Sequence, residues 1–307
     1  MMGRVLAADD ILRPKTAADL LACESLVGLS VGDALGAPWE GSAFNPIRLT
    51  GQVIPEGRAP WTDDTQMALA VVERLLAAGT IEPDLLASAF ARRYEPWRGY
   101  GRGMHQLLPA IRDGGDWRDL TARLFVGGSY GNGSAMRVAP LGAYFHEAPA
   151  DRVVIEAVRS AEVTHAHPEA KAGAIAVALA AWLAARSRGQ VAAADPWAEI
   201  LPHLEPKLEV TQGLRNAASL PGDTTLGDAA FRLGNGSRVT CADTVPLALW
   251  IALRHVDDFA LAVRHAIAAG GDADTLGAIV GGIVAARLGV ERIPPRWRAA
   301  VEPLPIG

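Results

Sequence analysis

The feature that most narrows the fold class is the distribution of alanine and leucine. Long stretches rich in both, and poor in the β-branched alternation of strands, run from Ala17 to Leu35, Gln66 to Ala78, Pro83 to Tyr94 and Val153 to Val163. Others follow from Glu169 to Arg186, Val245 to Arg254, Phe259 to Ala269 and Thr275 to Leu288. In the segment from Gln66, the residues Met67, Val71, Leu75 and Ala78 recur at helical spacing. No strand pattern competes. The chain therefore reads as all-α: a single compact multi-helix domain over residues 1–307, its helices joined by Gly/Pro-rich turns with no linker between two cores.

Half of the 307 residues are apolar, enough for a sizeable core. Gly277, Gly281, Gly282, Ala285 and Ala286 would let helix backbones approach closely. The segment from Ser187 to Ala242, with Pro196, Pro202, Pro206 and Pro221, reads as less regular. A formal charge of −5 gives no overall electrostatic reason to bind nucleic acid or a membrane surface. Cys23 and Cys241 lie far apart, suggesting neither a disulfide framework nor a zinc site, and a reducing cytoplasm fits best. Arg4, Asp9, Asp10, Arg13 and Lys15 interrupt anything resembling a signal peptide. Apolar stretches such as Ala172 to Ala185 and Leu276 to Ala286 are too short to span a bilayer. A monomer is the expected state.

Two acidic stretches open helical runs: Trp61-Thr62-Asp63-Asp64-Thr65 and Gly271-Asp272-Ala273-Asp274-Thr275. Either alone is explained by capping, since Thr and Asp satisfy free amides at a helix start and suit its positive dipole end. Gly79 and Gly289 mark the corresponding stops. Together the two clusters offer hard oxygen donors with no excess of Lys or Arg beside them, a set that suits two Mg²⁺ or Mn²⁺ ions better than zinc. Asp274 is the expected bridge between the ions.

Gly127-Gly128-Ser129-Tyr130-Gly131-Asn132-Gly133-Ser134 precedes a helix expected to begin at Ala135. Such a loop can turn backbone N–H groups toward a phosphate, though it is neither a Walker nor a Rossmann loop, and a tight surface turn is the plain alternative. Tyr130 and Phe125 could sandwich a purine, with core packing the commoner fate of Phe125. Gly234-Asn235-Gly236-Ser237 repeats the tetrapeptide and is read as a second loop at the same cleft. Thr164-His165-Ala166-His167 could ligate a metal, donate to a phosphate or cap the next helix. Glu40 follows the first long helix and could act as general acid or base.

Taken in order, these segments resemble the ADP-ribosylglycohydrolase family, the group that includes dinitrogenase reductase-activating glycohydrolase and the mammalian ADP-ribosyl-acceptor hydrolases. Its carriers are Gly32-Asp33-Ala34-Leu35-Gly36, Trp61 to Thr65, Gly131 to Arg137, Thr164-His165 and Gly270 to Thr275, spanning Gly28 to about Trp297. The resemblance implies an all-helical domain with a binuclear metal site of Thr62, Asp63, Asp64, Asp272, Asp274 and Thr275, with Glu40, Asp63, Asp64 and Asp274 as catalytic residues. It implies substrate contacts from Asp33, Ser129, Met136 and His165, and pyrophosphate contact from Gly131, Asn132, Gly133 and Ser134. Tyr130, Glu40 and the segment Leu233-Gly234-Asn235-Gly236 match the serine-specific branch, with Phe125 completing the adenine sandwich. The implied activity is release of ADP-ribose from a modified protein, serine-linked before arginine-linked. Hydrolysis of small ADP-ribose derivatives such as O-acetyl-ADP-ribose, phosphate-ester chemistry at the same metals and non-catalytic binding are the competing readings.

Overall fold

Thr16 opens the first helix. Its hydroxyl accepts the Asp19 N–H at 3.1 Å, while the Asp19 carboxylate accepts those of Thr16 and Lys15 at 2.9 Å, so amides that a helix start leaves free are met. From this box α1 runs Ala17–Gly36. The structure, a computed structural model, describes residues 12–51, 53–54, 57–191 and 195–306; Arg4, Asp9 and Asp10 lie outside the described residues.

Among the described residues the chain after α1 forms α2 (Asp63–Ala78), α3 (Pro83–Arg93), α4 (Met104–Arg112), α5 (Trp117–Leu124), α6 (Ala139–Tyr144) and α7 (Ala150–Glu162). It continues with α8 (Pro168–Arg186), α9 (Pro196–Ile200), α10 (Glu209–Ser219), α11 (Leu226–Leu233) and α12 (Cys241–Arg254). The last three are α13 (Phe259–Ala269), α14 (Ala273–Leu288) and α15 (Pro295–Ala300). Among the described residues strand-like pairing is confined to isolated bridges, two of which matter below: Ser42 with Gly271, and Gly131 with Thr240.

Helices α1, α8 and α14 are apolar around almost their whole circumference and form the centre, whereas outer helices such as α7 and α10 bury one face. By length and composition α1 and α8 could cross a membrane, which corrects the expectation for the stretch from Ala172 to Ala185 but not for that from Leu276 to Ala286. Burial makes them core helices here: 83% and 78% of their apolar windows lie inside the fold. The approach of α1 to α14 is unusually close. A β-carbon at Gly28 would lie 2.4 Å from Gly281 O, one at Gly32 1.9 Å from Gly277 O, and one at Gly36 2.3 Å from Ala273 O. The converse holds too, with Gly277 and Gly281 facing the carbonyls of Gly32 and Gly28 at 2.3 Å. Only residues without a β-carbon allow this contact, and it sets Asp33 of α1 beside Asp274 of α14.

Two sequence expectations change. The region from Ser187 to Ala242 holds α9, α10 and α11, because Pro196 occupies the first turn of α9, where a missing N–H costs nothing. No helix begins at Ala135: Asn132–Ser134 makes a 3-10 turn, and α6 starts at Ala139 with Pro140 in its first turn.

Candidate functional site

The first turn of α2 is built on Thr62 and Asp33. Thr62 is the N-cap, its hydroxyl accepting the Asp64 N–H at 3.3 Å. Asp33, fully buried, accepts from the Thr62 amide at 3.0 and 3.1 Å, the Thr62 hydroxyl at 2.8 Å, the Thr65 amide at 3.1 Å and the Thr65 hydroxyl. Its oxygens are thus taken up in anchoring α2 to α1, and the carboxylate expected to touch substrate lies inside the protein. Thr65 is the second anchor of Asp33, a role set by the fold and not visible in the Trp61–Thr65 stretch alone.

The acidic stretches converge. Ligand-type oxygens of Asp33, Asp64 and Asp274 lie within 4.8 Å of one another, as do those of Glu40, Asp272 and Asp274, so Asp274 belongs to both groups. Glu40 is the exposed member, at the lip. Asp63 is buried just outside the two groups, and Thr275 follows Asp274, whose Oδ1 accepts its N–H at 2.9 Å. A further clamp holds the turn before α2: Arg98 donates to Trp61 O at 2.9 Å, lies 3.5 Å over the Trp61 ring and pairs with both Glu302 oxygens at 2.7 and 2.9 Å. Neither Arg98 nor Glu302 stands out in the sequence, because their meeting is tertiary.

So many buried carboxylates strongly resist ionisation together. Burial pushes Asp33 up to about 6 against the hydrogen bonds from Thr65 and Thr62 that pull it down. Asp63, Asp64 and Asp274 are raised well above the carboxylate range, first by burial and then by their neighbours' charges. Glu40 is raised by partial burial and then by Asp272. Asp64 Oδ1 is sealed from solvent without any hydrogen-bond partner among the described residues. An orphaned carboxylate oxygen amid uncompensated acids is the environment a hard divalent cation completes, so the donor set fits the magnesium or manganese that the sequence suggests.

The glycine-rich segment is tied to this cluster by one bond: Asn132 Nδ2 donates to Asp272 Oδ2 at 2.6 Å, and also to Thr244 Oγ1 at 2.9 Å. Several groups expected to face a phosphate are engaged within the protein. Gly131 N–H reaches Ser129 Oγ at 3.3 Å, Asn132 N–H reaches Val239 O at 3.3 Å, and the buried Ser134 hydroxyl donates to Ala170 O at 2.9 Å. Met136 is in the core. His165 is buried with its Nε2 edge against the turn, where a β-carbon at Gly131 or Gly133 would come within 3.3 or 3.1 Å of that nitrogen. The second tetrapeptide packs against the acidic cluster: Asn235 O accepts the Asp272 N–H at 3.0 Å, Gly236 packs on Asp272, and Gly234 packs on Asp243.

Tyr130 is half exposed, but its ring meets His167 edge-on with centroids 5.6 Å apart, while the Phe125 ring leans over Gly103. His167 also caps α8, its Nδ1 accepting the Glu169 N–H at 3.1 Å, so of the roles open to this histidine the structure shows capping.

Comparison with known proteins agrees with this geometry. A family model described as ADP-ribosylglycohydrolase matches residues 16–305. The chain belongs to the ADP-ribosylglycohydrolase family. It is 31% identical to the ADP-ribosylhydrolase ARH3 of Gallus gallus over 329 residues, covering 90% of this chain and 88% of that protein. The Homo sapiens ADP-ribosylhydrolase ARH3 is 28% identical over 328 residues, with 90% and 88% covered. A solved structure described as an ADP-ribosylglycohydrolase-related protein complex shares the fold at a TM-score of 0.59 and 27% identity, with 93% of each chain covered. Membership makes the protein a glycosidase-type hydrolase of ADP-ribose linkages.

Proposed function

We propose that this hydrolase cleaves the glycosidic bond between ADP-ribose and a serine oxygen of a modified protein, using two magnesium or manganese ions. One observation carries the reading: two carboxylate groups share Asp274, and Asp272 of the second group is bonded to Asn132 of the glycine-rich turn. A cation site and a candidate phosphate-binding turn joined this way suit a substrate that presents a ribose diol next to a pyrophosphate. Asp64, Asp272 and Asp274 would hold the ions, with Thr62, Thr275 and Asp63 alongside and Asp33 fixing the turn that carries Asp64. The ions, when bound, supply positive charge that orients ribose hydroxyls and acidifies a water.

In the proposed reaction the bond from the anomeric carbon to the serine oxygen breaks with oxocarbenium character, and water adds to that carbon. Glu40, the exposed member of the cluster, delivers its proton to the departing oxygen and regains one from the added water, giving free ADP-ribose and serine. Tyr130, exposed beside the turn, offers a face to the adenine. Glu40 and Tyr130 are also the positions that match the serine-specific branch.

Incubation with serine-linked and arginine-linked ADP-ribosyl peptides, with magnesium or with chelator, followed by mass spectrometry, tests this. Free ADP-ribose from the serine peptide, dependent on the cation, is expected. Release from the arginine peptide alone refutes the linkage, and AMP as product refutes glycosidic cleavage.

A further inference from the structure

Behind the Gly131–Ser134 turn lies a relay of buried polar groups that the reaction above does not use. Arg137 is completely enclosed, its guanidinium 4.5 Å over the Phe90 ring. Its Nη2 donates to Ser160 O at 2.6 Å and to Thr164 Oγ1 at 3.0 Å, and Thr164 Oγ1 lies 2.7 Å from His165 Nδ1.

Elementary chemistry fixes the direction of each bond. A guanidinium only donates, so the Thr164 oxygen accepts from Arg137 and keeps one hydrogen to give. Thr164 is itself buried, and among the described residues the acceptor in reach of that hydrogen is His165 Nδ1. Nδ1 can accept only if it carries no proton, which leaves the ring's proton on Nε2. The opposite tautomer would aim an N–H at an oxygen already receiving one and strand the threonine hydrogen without an acceptor. Burial and then the Arg137 charge also pull the imidazole down to about 3, so the ring stays neutral.

The donor so created has an open destination. His165 Nε2 makes no hydrogen bond among the described residues and is not among the polar atoms sealed from solvent. It lies on the side of Gly131 and Gly133, where the amides of Gly131 and Asn132 and the side chains of Asn132 and Ser134 already have protein partners.

We propose that Arg137 and Thr164 are positioning residues that lock His165 as the neutral Nε2–H tautomer, making it a fixed hydrogen-bond donor to an anionic substrate oxygen at this turn. His165 is then neither general acid nor general base. That the anion is the pyrophosphate of ADP-ribose rests on the proposed function; the tautomer does not.

The test is long-range proton–nitrogen correlation NMR on ¹⁵N-histidine-labelled protein, with the His165 signals identified by their loss in His165→Gln. The expected spectrum shows a protonated Nε2 and a bare Nδ1 in the metal-free wild type. Calorimetry with ADP-ribose follows on Thr164→Val and Thr164→Ser. The valine variant should bind about tenfold more weakly or worse, with KM rising far more than kcat falls and with a mixed tautomer signal, and serine should restore both. A wild-type ring protonated at Nδ1 overturns the assignment, whether or not the valine variant folds. Unchanged ADP-ribose affinity in a folded Thr164→Val overturns the positioning role. An Nε2–H spectrum in a wild type that binds no ADP-ribose upholds the tautomer and refutes the ADP-ribose reading instead.

Discussion

Replacing Gly32 by alanine sets two effects of opposite sign against each other. Alanine favours an α-helix over glycine by about 1 kcal/mol, so a solvent-exposed site would gain stability. At Gly32 the new β-carbon would sit 1.9 Å from Gly277 O and 2.4 Å from Gly277 C, both backbone atoms with no rotamer to yield. Ordinary contact begins near 3.5 Å, so α1 and α14 would have to part by roughly 1.5 Å locally. Overpacking of this kind costs about 1–3 kcal/mol, and a rigid backbone neighbour puts Gly32→Ala at the upper end. For a chain of this size that is a fall in Tm of roughly 5 °C. Because Asp33 and Asp274 flank the same contact, a parting near 1 Å should also cost about 100-fold in kcat/KM. The assays are thermal unfolding with chelator, calorimetric titration with magnesium, and hydrolysis of ADP-ribosyl peptide. Gly222→Ala, where nothing lies within 4 Å, is the control and should behave as wild type. A Gly32→Ala protein equal to wild type in Tm and magnesium affinity refutes the claim that this contact assembles the site.

Three further outcomes are expected. The raised carboxylates bind protons more tightly folded than unfolded, so the metal-free fold draws stability from them below about pH 4 and loses it as pH rises through about 6, the value for Asp33. Magnesium should therefore raise Tm more at about pH 7.5 than at pH 5, and an equal shift at both, read by scanning fluorimetry, contradicts the cluster's role. Asp274→Asn removes a charge from both groups, and should abolish the magnesium-induced Tm shift and cut kcat by at least about 100-fold without lowering metal-free stability. Val239 is the non-glycine residue among the described ones with positive φ, at 55°, and its side chain is half exposed. Val239→Gly should stabilise by about 1 kcal/mol in urea titration, and a loss would show that the valine packs more than it strains.

What the sequence disclosed was chiefly local. The cap at Thr62, the stop at Gly79 with its left-handed φ of 68°, and the two acidic helix starts depend on neighbours a few residues away, and all are found in the structure. Chemistry set by packing was not legible. That Asp33 anchors α2 depends on tertiary bonds to Thr62 and Thr65, and Gly28, Gly32 and Gly36 show their purpose only once the partner helix is known. Asn132 and Ser134 look like phosphate-facing groups in a motif, yet the fold gives both protein partners. Phe125 and Tyr130 are close in sequence, but the Phe125 ring rests on Gly103 and the Tyr130 ring on His167, contacts that come from the fold.

The glycine seam has a consequence for synthesis. The two helices it joins lie far apart along the chain, and α1 exposes an apolar surface until its mate is synthesised. Nascent chains lacking α14 have no counterpart for that surface and no Asp274, so they are sticky and lack the carboxylate that both acidic groups share. Emergence of α14 is therefore the step at which the two acidic groups can first form.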